Sequence, residues 1–106
     1  MRRRPRPRSL QISDDSRRKL AERGIELEDA EFAIEHGPVL YWQPSQERPT
    51  EEGSGIRPGR WVMIGRGTEK DIVTFVLEAP NADGESKVVT GWVATADEEE
   101  LYNQQS

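Results

Sequence analysis

The chain has 106 residues, of which 33% are hydrophobic and 33% charged, with a net charge of −5 and no cysteine. That length suits one hydrophobic core and leaves no room for a second, and the missing cysteine excludes disulfides, thiol nucleophiles and thiolate metal sites. No apolar run approaches the roughly 18 residues of a membrane span, and the basic start leads into Ser9-Leu10-Gln11-Ile12 rather than the apolar core of a signal peptide, so a cytoplasmic location is expected.

Charge is divided unevenly along the chain. Arg2, Arg3, Arg4, Arg6 and Arg8 precede every acid, leaving ten basic and twenty acidic residues beyond them, a net of −10. Like-charge repulsion and two prolines predict that residues 1–9 form a disordered arginine-rich tail ahead of a single domain at 10–106. The acidic body repels a phosphate backbone except at a local basic patch or at this tail.

After a short strand at Leu10–Ile12, Ser13 suits a helix N-cap, with Asp14 and Asp15 in the positive first turn. Gly24 fits the left-handed position that ends the helix at about Arg23, pairing Leu20 with Ile25 in an apolar Schellman contact. Leu27, Ala30, Ala33 and Ile34 recur at helical spacing, so a second helix is predicted over Leu27–His36, stopped by Gly37-Pro38. These two short helices form an αα-hairpin that needs a sheet to lie on.

Strands are predicted at Val39–Gln43, Arg60–Gly65, Ile72–Ala79 and Ser86–Val93, each rich in β-branched or aromatic residues. The last three should form an antiparallel meander, turning at residues 65–71 and 80–85. Between the first two strands, residues 44–59 hold three prolines and three glycines and no periodicity, which predicts a long mobile loop. Thr95 with Asp97 and Glu98 begins a final helix over Ala96–Gln104. Trp61 and Met63 face one side of their strand, Val62 and Ile64 the other. One side takes the helical hairpin, and the other calls for the C-terminal segment, a second copy or another protein. The expected fold class is therefore α+β, a helical hairpin on a four-stranded antiparallel sheet with a short C-terminal helix.

The chemistry available is limited. With His36 as the only histidine, no zinc site or Ser/His/Asp set can be assembled, and neither a cofactor nor a metal is expected. Position in the last helical turn suits His36 to the helix dipole, and Asp97-Glu98-Glu99-Glu100 to a solvated helix start. Gly65-Arg66-Gly67 is too short for a nucleotide loop. Arg60 and Arg66 bracket one strand, with Lys70 and Lys87 near the ends of its neighbours. Read one way these are ordinary strand-end charges; read another, they form a cationic patch whose guanidiniums bind a scissile phosphate and stabilise its growing charge.

The run Gly24-Ile25-Glu26-Leu27-Glu28-Asp29-Ala30-Glu31-Phe32-Ala33-Ile34-Glu35-His36-Gly37, the strand Arg60-Trp61-Val62-Met63-Ile64-Gly65-Arg66 and the ending Ala94-Thr95 with Glu98 and Tyr102 resemble, in order and spacing, the BrnT toxins, ribonucleases of the RelE-like fold, and a related bacterial domain family of unknown function. The resemblance spans about residues 10–104. It implies a curved antiparallel sheet with helices against it, metal-independent RNA cleavage and neutralisation by a partner antitoxin. Arg60 and Arg66 fall at the family's basic strand positions. Glu22-Arg23 stands where the family usually has Lys-His, and Trp92, Val93, Asp97, Glu99 and Glu100 stand where it tends to have arginines. Those replacements lower phosphate affinity.

Two functions follow. The first is a BrnT-like toxin component of a toxin-antitoxin pair that cuts RNA by transesterification. Arg66 and Arg60 would act as catalytic phosphate ligands, Arg23 as a weaker candidate for the same role, and an acid such as Glu78 would take the proton. The second is a non-enzymatic module that binds a protein, or a second copy, through exposed Trp61, Phe75 or Trp92.

Overall fold

The computed structural model describes residues 5–50, 53–69 and 71–105, with backbone alone for 47–50 and 53–57. Its elements are β1 (Ser9–Ile12), α1 (Asp14–Glu22), α2 (Leu27–Glu35), β2 (Val39–Gln43), β3 (Gln46–Thr50), β4 (Gly53–Arg57), β5 (Arg60–Arg66), β6 (Ile72–Glu78), β7 (Glu85–Val93) and α3 (Ala96–Gln105). The chain is α+β, with three helices and a five-stranded mixed sheet among the described residues.

The helical hairpin is set by its caps. Ser13 Oγ accepts from Ser16 N–H at 3.2 Å, and the end of α1 closes through Ile25 N–H to Leu20 O at 2.9 Å and Gly24 N–H to Ala21 O at 3.0 Å. That is the Schellman pattern, with Gly24 at φ +73° where a Cβ would be strained. Leu20 and Ile25, the pair it brings together, are both buried. At the start of α2, Asp29 Oδ2 accepts from Glu26 N–H at 3.0 Å, satisfying one of the amides that a helix start leaves without a partner.

The sheet runs in the order β1-β7-β6-β5-β2. β5, β6 and β7 form the antiparallel meander, and β2 pairs antiparallel with β5, Val39 opposite Ile64 and Gln43 opposite Arg60. The expected four-stranded antiparallel sheet gains a fifth strand, because β1 adds to β7 in parallel, Ser9 opposite Glu85 and Ile12 opposite Val88. Leu10 and Ile12 pack towards the core while Ser9 and Gln11 face water. A four-residue strand paired across the whole length of the domain leaves no local mark of its direction.

Two unequal layers sit on the sheet. On one face Leu20, Ile25, Ala30 and Ala33 from the hairpin bury against Trp61, Met63, Val73, Phe75, Leu77 and Val88. Burial of such side chains stabilises by about 1.5–3 kcal/mol each for the larger ones, which is why two helices with little intrinsic stability persist. On the other face α3 covers only part of the sheet, with Tyr102 and Leu101 against Val39, Val62, Ile64 and Ile72.

Two expectations change. The segment at 44–59 carries a hairpin, β3 pairing antiparallel with β4 apart from the main sheet; its strands, Gln-Glu-Arg-Pro-Thr and Gly-Ser-Gly-Ile-Arg, lack the apolar alternation that marks a strand in sequence. The arginine-rich tail touches the domain from Pro5 onward. Trp61 Nε1 donates to Pro5 O at 3.0 Å, Pro7 is buried, and Arg8 N–H donates to Gly84 O at 2.9 Å. Proline removes amide donors that would otherwise need partners on this path, and Pro5 supplies the acceptor that a buried indole requires. Residues 1–4 lie outside the described residues. Among the described residues, no helix is long and apolar enough to cross a membrane.

Candidate functional site

The arginines singled out by sequence lie in three places. Arg60 and Arg66 share a face of β5 by strand parity, but they stand at its opposite ends. Six strand steps of roughly 3.4 Å set their backbones about 20 Å apart. Between them lie Val62 and Ile64, both buried. A shared phosphate needs both guanidiniums within about 3 Å of its oxygens, and this spacing does not bring them together.

Arg60 sits opposite Gln43 and Glu78, so Glu78, the acid considered as proton acceptor, belongs to the same end. Pro58, Gly59, Arg60, Glu78, Ala79 and Val89 line a shallow groove of about 360 Å³ there. Arg66 is exposed at the other end, opposite Ile72. Lys87 pairs in register with Gln11 on β1, remote from both, and Lys70 lies outside the described residues.

Arg23 approaches from the edge of the sheet. β1 pairs with β7 only from Glu85 to Val88, which leaves the upper half of β7 without a strand on that side. Side chains from α1 take the place of the absent strand. Ser16 Oγ donates to Val89 O at 3.2 Å, and Arg23 Nη1 donates to Gly91 O at 2.7 Å and to Thr90 Oγ1 at 3.1 Å. Ser16 and Arg23 are seven positions apart, two helical turns, so they point from one face of the helix and its end. The close approach is allowed by Gly91, where a Cβ would lie 2.9 Å from Phe75 and 3.1 Å from Leu20. Arg23 therefore acts here as an edge clip, satisfying a carbonyl that a buried sheet edge must not leave unpaired.

The turn that follows Arg66 is fixed by a carboxylate that sequence reasoning passed over. Asp29 Oδ1 accepts from Thr68 N–H at 3.0 Å and Thr68 Oγ–H at 2.7 Å, while its Oδ2 holds Glu26 N–H. Burial alone would raise the Asp29 pKa, but the hydrogen bonds from Glu26 and Thr68 outweigh it and hold the group below the usual 3.8. The signal for its local role was present, an acid three residues past the N-cap; its contact with Thr68 was not.

The aromatic side chains named for partner binding are engaged within the fold. Trp61 and Phe75 are buried, and Trp92 Nε1 donates to Glu98 Oε1 at 2.9 Å. The same Glu98 oxygen accepts from Thr95 N–H at 2.8 Å, while Thr95 Oγ1 accepts from Glu98 N–H at 3.3 Å, a capping box that starts α3. Tyr41 is pushed above its usual pKa of 10.0, first by burial and then by the Glu98 carboxylate. Tyr41 and Val93 are the large hydrophobics left exposed among the described residues, at 37% and 57%. His36 stacks on Phe32 with its Nδ1 2.7 Å from Phe32 O, a contact within its own helix turn. Among the described residues no group of three or more His, Asp or Glu gathers that could hold a metal ion.

These features define an α+β domain whose sheet carries the helical hairpin on one face and α3 over part of the other. Compared with protein-family models, curated proteins and solved structures, the chain gives no match.

Proposed function

We propose that this chain is a catalytically inactive protein-interaction module on a BrnT-like, RelE-like fold, one that binds a protein partner and does not cleave RNA. The observation that carries the reading is the dispersal of Arg60, Arg66 and Arg23, the last of which holds β7. Transesterification needs oriented cations and a proton acceptor around one phosphate, and the candidate acid, Glu78, stands beside Arg60 at the end of β5 remote from Arg66.

Binding of a protein is favoured by the half-covered face, where the groove lined by Pro58, Gly59, Ala79 and Val89 continues the sheet surface beyond α3. Its charged rim, Arg60 and Glu78, suits the polar border of a protein interface around an apolar centre. The partner is an antitoxin-type protein or a second copy of this chain. The deciding experiment incubates purified protein with mixed RNA in chelator, wild type beside Arg66→Ala, and compares growth on induced expression. Intact RNA and unimpaired growth with both proteins are expected. Fragments and growth arrest with wild type, lost in Arg66→Ala, replace this reading with the ribonuclease toxin.

A further inference from the structure

Residues 5–8 are positioned by the domain yet hold out two cations. Pro5 O takes the Trp61 indole proton, Pro7 is buried, and the Arg8 and Ser9 amides both donate to Gly84 O, at 2.9 and 3.2 Å. Arg6 and Arg8 are exposed between and beyond these anchors. Although the chain carries twenty acidic residues, neither guanidinium is ion-paired among the described residues. Arg2, Arg3 and Arg4 precede them, and the first acid is Asp14.

We infer that this anchored arginine segment is a contact site for the phosphate backbone of nucleic acid. Guanidinium forks match phosphate oxygens bidentately, and fixing the backbone at Pro5 and Gly84 removes part of the ordering cost of binding. Two steps of extended chain carry Arg6 to Arg8 over about 6–7 Å, close to the roughly 6.8 Å of rise between a phosphate and the next but one along one strand of a duplex. The acidic remainder, net −10, repels the same backbone, so contact is confined to this end and is independent of sequence. A lipid surface fits less well, since residues 2–8 offer arginine and proline and no apolar side chain to insert. This inference goes beyond the proposed protein-binding role and requires no cleavage.

The test is fluorescence anisotropy of a labelled mixed-sequence duplex, made as DNA and as RNA, titrated with the full chain between 50 and 200 mM salt. Arg6 and Arg8 together neutralise up to two phosphates, so across that range affinity should fall up to about 12-fold more for wild type than for Arg6→Ala/Arg8→Ala. Arg6→Lys/Arg8→Lys should keep the wild-type salt slope, and circular dichroism checks that each variant is folded. No binding at about 100 μM protein in low salt overturns the inference, because non-specific complexes form at or below that concentration. So does a slope unaltered in the double alanine variant, tighter binding to phosphatidylserine vesicles than to either duplex, or arginine-dependent self-association in sedimentation without duplex binding. RNA binding without fragments leaves the non-cleaving role in place, whereas fragments without tail-dependent binding overturn that role and this inference separately.

Discussion

Replacing Arg23 by alanine separates a structural arginine from a catalytic one. The substitution removes two donors, to Gly91 O at 2.7 Å and Thr90 Oγ1 at 3.1 Å. A hydrogen bond from a charged group contributes about 1.5–3 kcal/mol when well shielded, but Arg23 is exposed, so water competes and the discounted loss is about 1–2 kcal/mol. For a domain of this size that corresponds to roughly 4–12 °C in Tm. Urea and thermal unfolding measure it directly, and a constant m value would place the change in stability rather than in compactness. Arg23→Lys should recover less than half, because both bonds leave the single Nη1, and a lysine ammonium sits on a shorter stem without the fixed plane that aims its two N–H groups at both acceptors. A cycle with Thr90→Val should show coupling of about 0.5–1 kcal/mol, since one partner of the pair is then already absent. Wild-type Tm in Arg23→Ala, with no coupling to Thr90, would refute the edge-clip account.

Two further outcomes follow from the same packing. Gly91→Ala places a methyl 2.9 Å from the Phe75 ring and 3.1 Å from Leu20, so overpacking should destabilise by about 1–3 kcal/mol in urea unfolding; a neutral result would mean that α1 shifts freely. Asp29 has a folded pKa below its usual 3.8, and a depressed carboxylate stabilises above the unfolded pKa and loses that contribution as pH falls through the folded one. Wild-type stability should therefore decline below about pH 4 more steeply than that of Asp29→Asn, measured by unfolding at stepped pH.

The hairpin was legible because its instructions are local. Ser13, Gly24 and the Leu20–Ile25 pair act within one or two helical turns, and all three take the positions their chemistry requires. The meander was legible for the same reason, its strands joined by short polar turns. What lay outside local reach was long-range: the parallel docking of β1 on β7, the pairing of β3 with β4, and the passage of Pro5 under Trp61. Strand arithmetic was available for Arg60 and Arg66, since an extended run with six steps between them sets its ends about 20 Å apart. For Arg23 nothing local could have served, because its acceptors lie 67 and 68 positions away.

The short length of β1 accounts for Arg23. A strand that ended at Val93's level would have paired all of β7, but the chain must leave the sheet at Ser13 to begin α1. The part-buried carbonyls of Val89 and Gly91 then need donors, and the helix that caused the gap is the element near enough to supply them. A serine reaches the nearer position and a long guanidinium the farther. An imidazole at residue 23 has a shorter reach and fewer donors than a guanidinium, so Arg23 suits edge closure.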